Sequence, residues 1–140
     1  MELRRVVITG IGAITPIGNT APEYWDNLCK GVSGAGKITR FDSTKLKTHI
    51  ACEIKGYDSE AYFDRKESRK LDLYAQYAIV AADEAIKDSR IDKGNTDFDE
   101  VGVVFASGIG GISSLYYDMM DSDWNGEALR LSPFTIPRLL

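Results

Sequence analysis

Two cysteines, one histidine, two glycine-rich turns and one cluster of four cations are where this 140-residue chain could do chemistry. A thiol attacks as thiolate, and it needs an accessible, electropositive setting. Cys29 falls on the apolar face of a short helix and Cys52 within a short strand, so both read as packing residues. His49, among Lys45, Lys47 and Thr48, reads as an exposed side chain with no nucleophile to serve. No spacing of Cys and His suits a metal ion. The glycines raise the dinucleotide question. Gly10-x-Gly12 is followed by Thr15, and Gly108-x-Gly110 by Ser113, where the fingerprint needs a third glycine. No acidic residue closes a second strand at the required distance, which argues against a nicotinamide cofactor. The cations Arg65, Lys66, Arg69 and Lys70 fall in the first turns of a helix, where they oppose its dipole. They are either a solvated face balanced by Asp64, Glu67 and Asp72, or a site for an acidic protein or a phosphate.

The elements that must position these groups follow from the periodicity. In Val101-Gly-Val-Val-Phe-Ala106 both faces are apolar, the pattern of a central parallel strand buried on both sides. It runs into Ser107-Gly-Ile-Gly-Gly111, and then Ile112, Leu115, Tyr116, Met119 and Met120 recur at helical spacing. Ligands of open α/β sheets bind at such a strand-to-helix junction. Residues 3–9 read as a second doubly buried strand, again ending in glycines. Thr20 with Glu23 makes a capping box for a helix that ends at Gly31. Residues 33–36 read as loop and 38–54 as irregular, with a short strand at 50–54. Asp64-x-x-Glu67 opens the longest helix, predicted to run to about Ser89. Its inner stripe is Leu71, Ala75, Ala78, Ala82 and Ala85, and so many alanines predict close packing against another element. Trp124-Asn-Gly126 reads as a turn, 132–137 as extended, and a last helix is expected to begin at Pro137.

Composition bounds the rest. Apolar content of 44% and charged content of 27% suit a soluble globular chain, and a net charge of −4 gives no support to nucleic-acid binding. No apolar run is long enough to span a membrane, and the N-terminus lacks the pattern of a signal peptide. Two cysteines without metal spacing suggest a reducing, cytoplasmic setting. Two buried strands flanked by helices do not complete a sheet, so the chain reads as part of a larger domain.

In order along the chain, Val6-Val-Ile-Thr-Gly-Ile-Gly12, Thr15-Pro-Ile-Gly-Asn19, Phe41-Asp42, Arg65-Lys-Glu-Ser-Arg-Lys-Leu-Asp72, Ala106-Ser-Gly-Ile-Gly-Gly111 and Ser132-Pro-Phe134 together resemble the N-terminal part of the β-ketoacyl-acyl carrier protein synthases, closest to the type II elongating class. The resemblance covers essentially residues 1–140, read as an incomplete N-terminal β-ketoacyl synthase domain. It implies an α/β, thiolase-like layered fold and a homodimer. It implies condensation of an acyl chain, held on a cysteine, with malonyl-acyl carrier protein, assisted by two histidines and by no metal or organic cofactor. Cys29, Cys52 and His49 match none of those three residues, so the chain alone is expected to be inactive. Gly108 and Ile109 match the loop beside the acyl pocket. Phe134 matches a residue near the dimer interface that walls the pocket, although Thr135 replaces a frequent second aromatic. Lys66, Arg69 and Lys70 match the basic patch that receives the carrier protein, which Arg130 would extend. A catalytically silent partner subunit and a non-enzymatic carrier-binding module are the alternatives.

Overall fold

The computed structural model describes residues 3–121 and 133–139. They form two compact units, Met1–Tyr57 with Val80–Phe98, and Asp58–Ile79 with Asp99–Leu140. The expected turn at 124–126 and Arg130 lie outside the described residues.

In the first unit, α1 spans Ala21–Cys29. Thr20 caps it, its hydroxyl accepting from the Glu23 N–H at 3.3 Å. The Glu23 carboxylate reaches back to accept from the Asn19 N–H at 2.8 Å, the reciprocal bond of a capping box displaced by one residue. Gly31 stops the helix at φ +68°. Its N–H donates to the Leu28 carbonyl and the Val32 N–H to Asn27, the paired bonds of a Schellman motif. Strands β1 (Ala35–Lys37) and β2 (Ile50–Cys52) pair antiparallel, with Gly36 opposite Ala51. The loop expected at 33–36 therefore gives way to a strand from Ala35, because 50–52 offers it a partner.

The predicted long helix is two helices, both beginning in the second unit: α2 (Arg65–Ser68) and α3 (Leu73–Ser89). Asp64 caps the first, its Oδ1 accepting from the Lys66 and Glu67 N–H groups at 2.8 Å each. Asp72 then caps the second, Oδ1 accepting from the Tyr74 N–H at 3.2 Å. An aspartate that bonds the backbone two residues on competes with helix continuation, and here it wins. The carbonyls this break would orphan are met by Gln76, whose amide donates to Ser68 and Leu71 at 3.0 and 3.1 Å. Gln76 is buried as a result. Helix α4 spans Ile112–Asp121, as the spacing predicts. Helix α5 spans Thr135–Leu139, starting two residues before the expected Pro137. Proline is tolerated there because first-turn N–H groups lack intrahelical partners. The extended conformation expected up to residue 137 is corrected accordingly.

The expected central strands are the largest departure. Residues 3–9 and 101–106 carry no regular secondary structure, and Leu3, Val6, Val103 and Val104 are 87–96% exposed. Their double-faced apolar pattern suits a sheet interior, yet a strand exists only through bonds to a neighbour. Among the described residues no neighbouring strand is in place. Among the described residues, Val80 is the buried large apolar side chain. The expected packing role of Cys29 and Cys52 is corrected for the same reason, since both are exposed, as are Trp25 and Leu28 on the apolar face of α1.

Of the predicted alanine stripe, Ala85 does meet another segment, the irregular stretch at 10–13, which also lies against the backbone of Ala81 outside the stripe. A Cβ on Gly10 would stand 2.2 Å from the Ala85 carbonyl oxygen, and one on Gly12 only 1.9 Å from that of Ala81. Glycine here allows backbone to lie on backbone. Carboxylates of α3 fasten the contact. Glu84 accepts from the Ala13 and Ala21 N–H groups, and Asp88 from Ile11, each at 2.9 Å.

Candidate functional site

In the second unit, the 107–111 turn is built around one hydrogen bond and one unusual dihedral. The Ser107 hydroxyl accepts from the Gly110 N–H at 3.0 Å, and Gly110 takes φ +72°, a conformation that side chains rarely adopt. Gly111 is the tight position, where an added Cβ would lie 2.0 Å from the Arg138 carbonyl oxygen. Gly108 has open space around it. Between them Ile109 is 70% exposed, so the turn presents one apolar side chain flanked by bare backbone.

Four polar contacts among the described residues join the elements around this turn. Asp72, already capping α3, accepts through Oδ2 from the Ser114 hydroxyl in the first turn of α4. Asp118 on α4 accepts from the Thr135 hydroxyl and lies 4.0 Å from Nη1 of Arg138. Arg138 also donates through Nη2 to the Arg69 carbonyl. Thr135 is the most deeply buried of these groups, at 2% exposure. Phe134, just before α5, is partly exposed.

The cations are placed differently from the expectation. Arg65 and Lys66 lie in the four-residue α2, Arg69 is its C-cap, and Lys70 follows in the link to α3. All four are exposed, and among the described residues no salt bridge holds their side chains. The four therefore do not occupy the first turns of a long helix, as expected, but a short helix and the link that precedes one. What remains is an exposed positive strip, without an ion pair among the described residues. Sequence reasoning missed Arg138 and the joining roles of Asp72 and Ser114. Asp72 carried a usable signal, an N-capping residue directly before a run of helix formers. Arg138 carried none.

Both thiols are exposed, and among the described residues neither bonds a base. His49 is exposed, as expected. Two carboxylates have altered acidity. Hydrogen bonds from Thr39, first from its hydroxyl and then from its backbone, hold Glu53 below its ordinary value. Bonds from Thr44, first from its backbone N–H, do the same for Asp42. Asp42 is exposed and Glu53 half-buried, and each fastens a loop. In the first unit a hollow of about 500 Å³ lies against Ile11, Ala21, Pro22, Tyr24 and Trp25. Its walls come from α1, from Ile11 and from Glu84 and Asp88 of α3, far in sequence from the 107–111 turn.

Residues 3–138 match the family described as "Beta-ketoacyl synthase, N-terminal domain". The chain belongs to the β-ketoacyl synthase family. It is 44% identical over 140 residues to the 3-oxoacyl-[acyl-carrier-protein] synthase 2 of Staphylococcus aureus (strain N315), covering 98% of this chain and 33% of that protein. It is 39% identical to the synthase of the same name from Synechocystis sp., covering 100% and 33%. The chain thus spans about a third of the length of the curated relatives it matches. Among solved structures, "The ishigamide ketosynthase/chain length factor" superposes with a TM-score of 0.75 at 27% identity, over 98% of this chain and 34% of that one. A β-ketoacyl synthase from Burkholderia phymatum superposes at 0.74 with 23% identity, over 99% and 34%. The fold is therefore the thiolase-like α/β fold of the ketosynthases. The two apolar segments that stand exposed here belong to a family whose members are about three times as long.

Proposed function

We propose that this chain is the N-terminal part of a 3-oxoacyl-acyl carrier protein synthase of fatty-acid elongation. The observation that carries the reading is 44% identity to such a synthase over essentially the whole chain. In the proposed reaction an acyl group sits as a thioester on an enzyme cysteine outside the 140 residues. The malonyl C2–carboxylate bond breaks and carbon dioxide leaves. The electron pair left on C2 forms a bond to the acyl carbonyl carbon, and the cysteine sulfur departs and regains its proton. The product is a 3-oxoacyl thioester on the carrier protein.

Within this reading Gly108 and Ile109 border the acyl pocket, and Phe134 helps to wall it across a homodimer interface. The bare glycine turn around an exposed isoleucine supports that role, because such a turn can accept an alkyl chain against one apolar side chain. Lys66, Arg69 and Lys70 receive the acidic carrier protein, which the exposed positive strip supports. One solved ketosynthase of the same fold is titled as a complex with its acyl-carrier protein. No cofactor is called for, and a cytoplasmic setting follows from the pathway. Cys29, Cys52 and His49 take no part in the chemistry, so the 140 residues alone lack condensing activity.

The test is to express the full reading frame containing this sequence, and separately residues 1–140, and supply each with acyl- and malonyl-carrier protein. Product and carbon dioxide are expected from the first and not from the second. A full-length protein that binds carrier but forms no product would favour the silent partner or the binding module. Turnover by residues 1–140 would overturn the assignment of their missing groups.

A further inference from the structure

Resting on the carrier-docking reading above, we infer that Arg138 is a positioning residue that holds the docking strip in register with the glycine turn. Its guanidinium forks between two elements. Nη1 faces Asp118 on α4 at 4.0 Å, and Nη2 donates to the Arg69 carbonyl, which the end of α2 leaves without a helical partner. The arrangement suits arginine, whose planar group can face a carboxylate with one nitrogen while the other donates a hydrogen bond, whereas an ammonium is a single point. The residue's backbone reaches the third element. Its carbonyl oxygen lies where a Cβ on Gly111 would stand at 2.0 Å, so α5 is seated on the last glycine of the turn that carries Ile109.

The side chain of Arg69 points to solvent while its carbonyl is held from behind. Arg138 thus fixes the backbone that presents Arg69 and Lys70, without competing for their charges. The Arg138 and Asp118 side chains are 23% and 19% exposed, so salt screens the fork less than it screens the strip. Asp118 is itself oriented by the Thr135 hydroxyl, which makes the fork's anchor rigid. A carrier that docks on Arg69 and Lys70 therefore leans on the guanidinium of the same residue whose backbone seats α5 against the acyl turn.

The experiment uses the full-length protein and compares malonyl-carrier protein with a malonyl-pantetheine thioester that makes no protein–protein contact. Arg138→Met should raise KM for the carrier-borne substrate about five-fold, the size expected when a docking charge is displaced rather than removed. Turnover of the pantetheine thioester should stay within about two-fold. Added to Lys66→Glu with Lys70→Glu, Arg138→Met should have little further effect, since the strip it positions is already lost. An equal loss with both substrates would make Arg138 a simple fastener of α5 and overturn the inference, as would no change with either. A carrier defect from the two lysine reversals with none from Arg138→Met would overturn the inference alone. No defect from the reversals would overturn the docking assignment and the inference with it. If Arg138→Met does not fold, the comparison is made on Arg138→Lys, which can reach only one of the two acceptors. A roughly two-fold rise confined to the carrier-borne substrate is then expected, and equal kinetics on both substrates would overturn the inference.

Discussion

The turns at 10–18 and 107–111 read alike in sequence, each an apolar run that ends in glycines, yet the structure uses their glycines for opposite purposes. Gly10 and Gly12 lie hard against the backbone of α3, and Ile11, Ala13 and Ala21 give their N–H groups to Glu84 and Asp88. Those glycines allow packing. At the second turn Gly108 meets nothing among the described residues and Ile109 stands out, while Gly111 is pressed against Arg138. These glycines leave room. A glycine signature alone does not separate close approach by the protein's own backbone from access for a ligand. What separates them is the carboxylates one helical turn apart on the facing helix.

The sharpest way to break this contrast is to add one methyl to each turn in the full-length protein. Gly12→Ala should destabilise by about 3 kcal/mol, the high end for overpacking against backbone that cannot move aside. Gly108→Ala should shift the denaturation midpoint by under about 0.5 kcal/mol. Equal losses at the two positions would erase the distinction. Next in size, Glu84→Ala removes the acceptor of two N–H groups in a part-buried setting and should cost about 2 kcal/mol. Glu84→Gln, which keeps one carbonyl acceptor, should recover part of that loss.

At the open turn the expected effect is on substrates. Ile109→Phe fills space that an acyl chain would occupy, and losing room for two methylenes costs about 1.6 kcal/mol, roughly fifteen-fold in affinity for long chains. The check is the ratio of kcat/KM for a long and a short acyl-carrier protein. A ratio left unchanged at full activity would place Ile109 outside the pocket.

The smallest expected effect lies outside both turns and calibrates what a side-chain contact in a surface loop contributes. Glu53 and Asp42 are both held below their ordinary values by hydrogen bonds. Their contribution is present above the ordinary carboxylate range and is lost as pH falls through the lowered values. On acidification, the amide resonances of Thr39 and Thr44 should shift together with protonation of Glu53 and Asp42 respectively. Titration of either carboxylate at or above its ordinary value would contradict these bonds.

Local rules made much of the chain legible. The capping residues Thr20, Glu23 and Asp64, the stop at Gly31 and the extent of α4 could all be read, because each depends on neighbours within a few residues. The break at 69–72 was missed, since helix propensity continues across it and its one signal is Asp72, an N-capping residue set inside the run. The segments at 3–9 and 101–106 show the opposite failure. Their pattern describes a sheet interior, but pairing is non-local and needs strands that the described residues do not supply. At the candidate site the turn and the basic residues were visible from their types. The fork at Arg138 was not, because nothing in Pro137-Arg138-Leu139 announces a contact 69 residues away.

Gln76 has a consequence for the order in which this region assembles. Its amide closes the gap between α2 and α3 by bonding the Ser68 and Leu71 carbonyls, and it sits one turn inside α3. The short basic helix, too brief to hold itself together, therefore has a fixed end only once the first turn of α3 is wound. Hydrogen exchange should register this as one cooperative unit. The amides of Ser68 and Lys70 should open in step with that of Gln76, and Gln76→Ala should release the short helix while the far end of α3 stays protected.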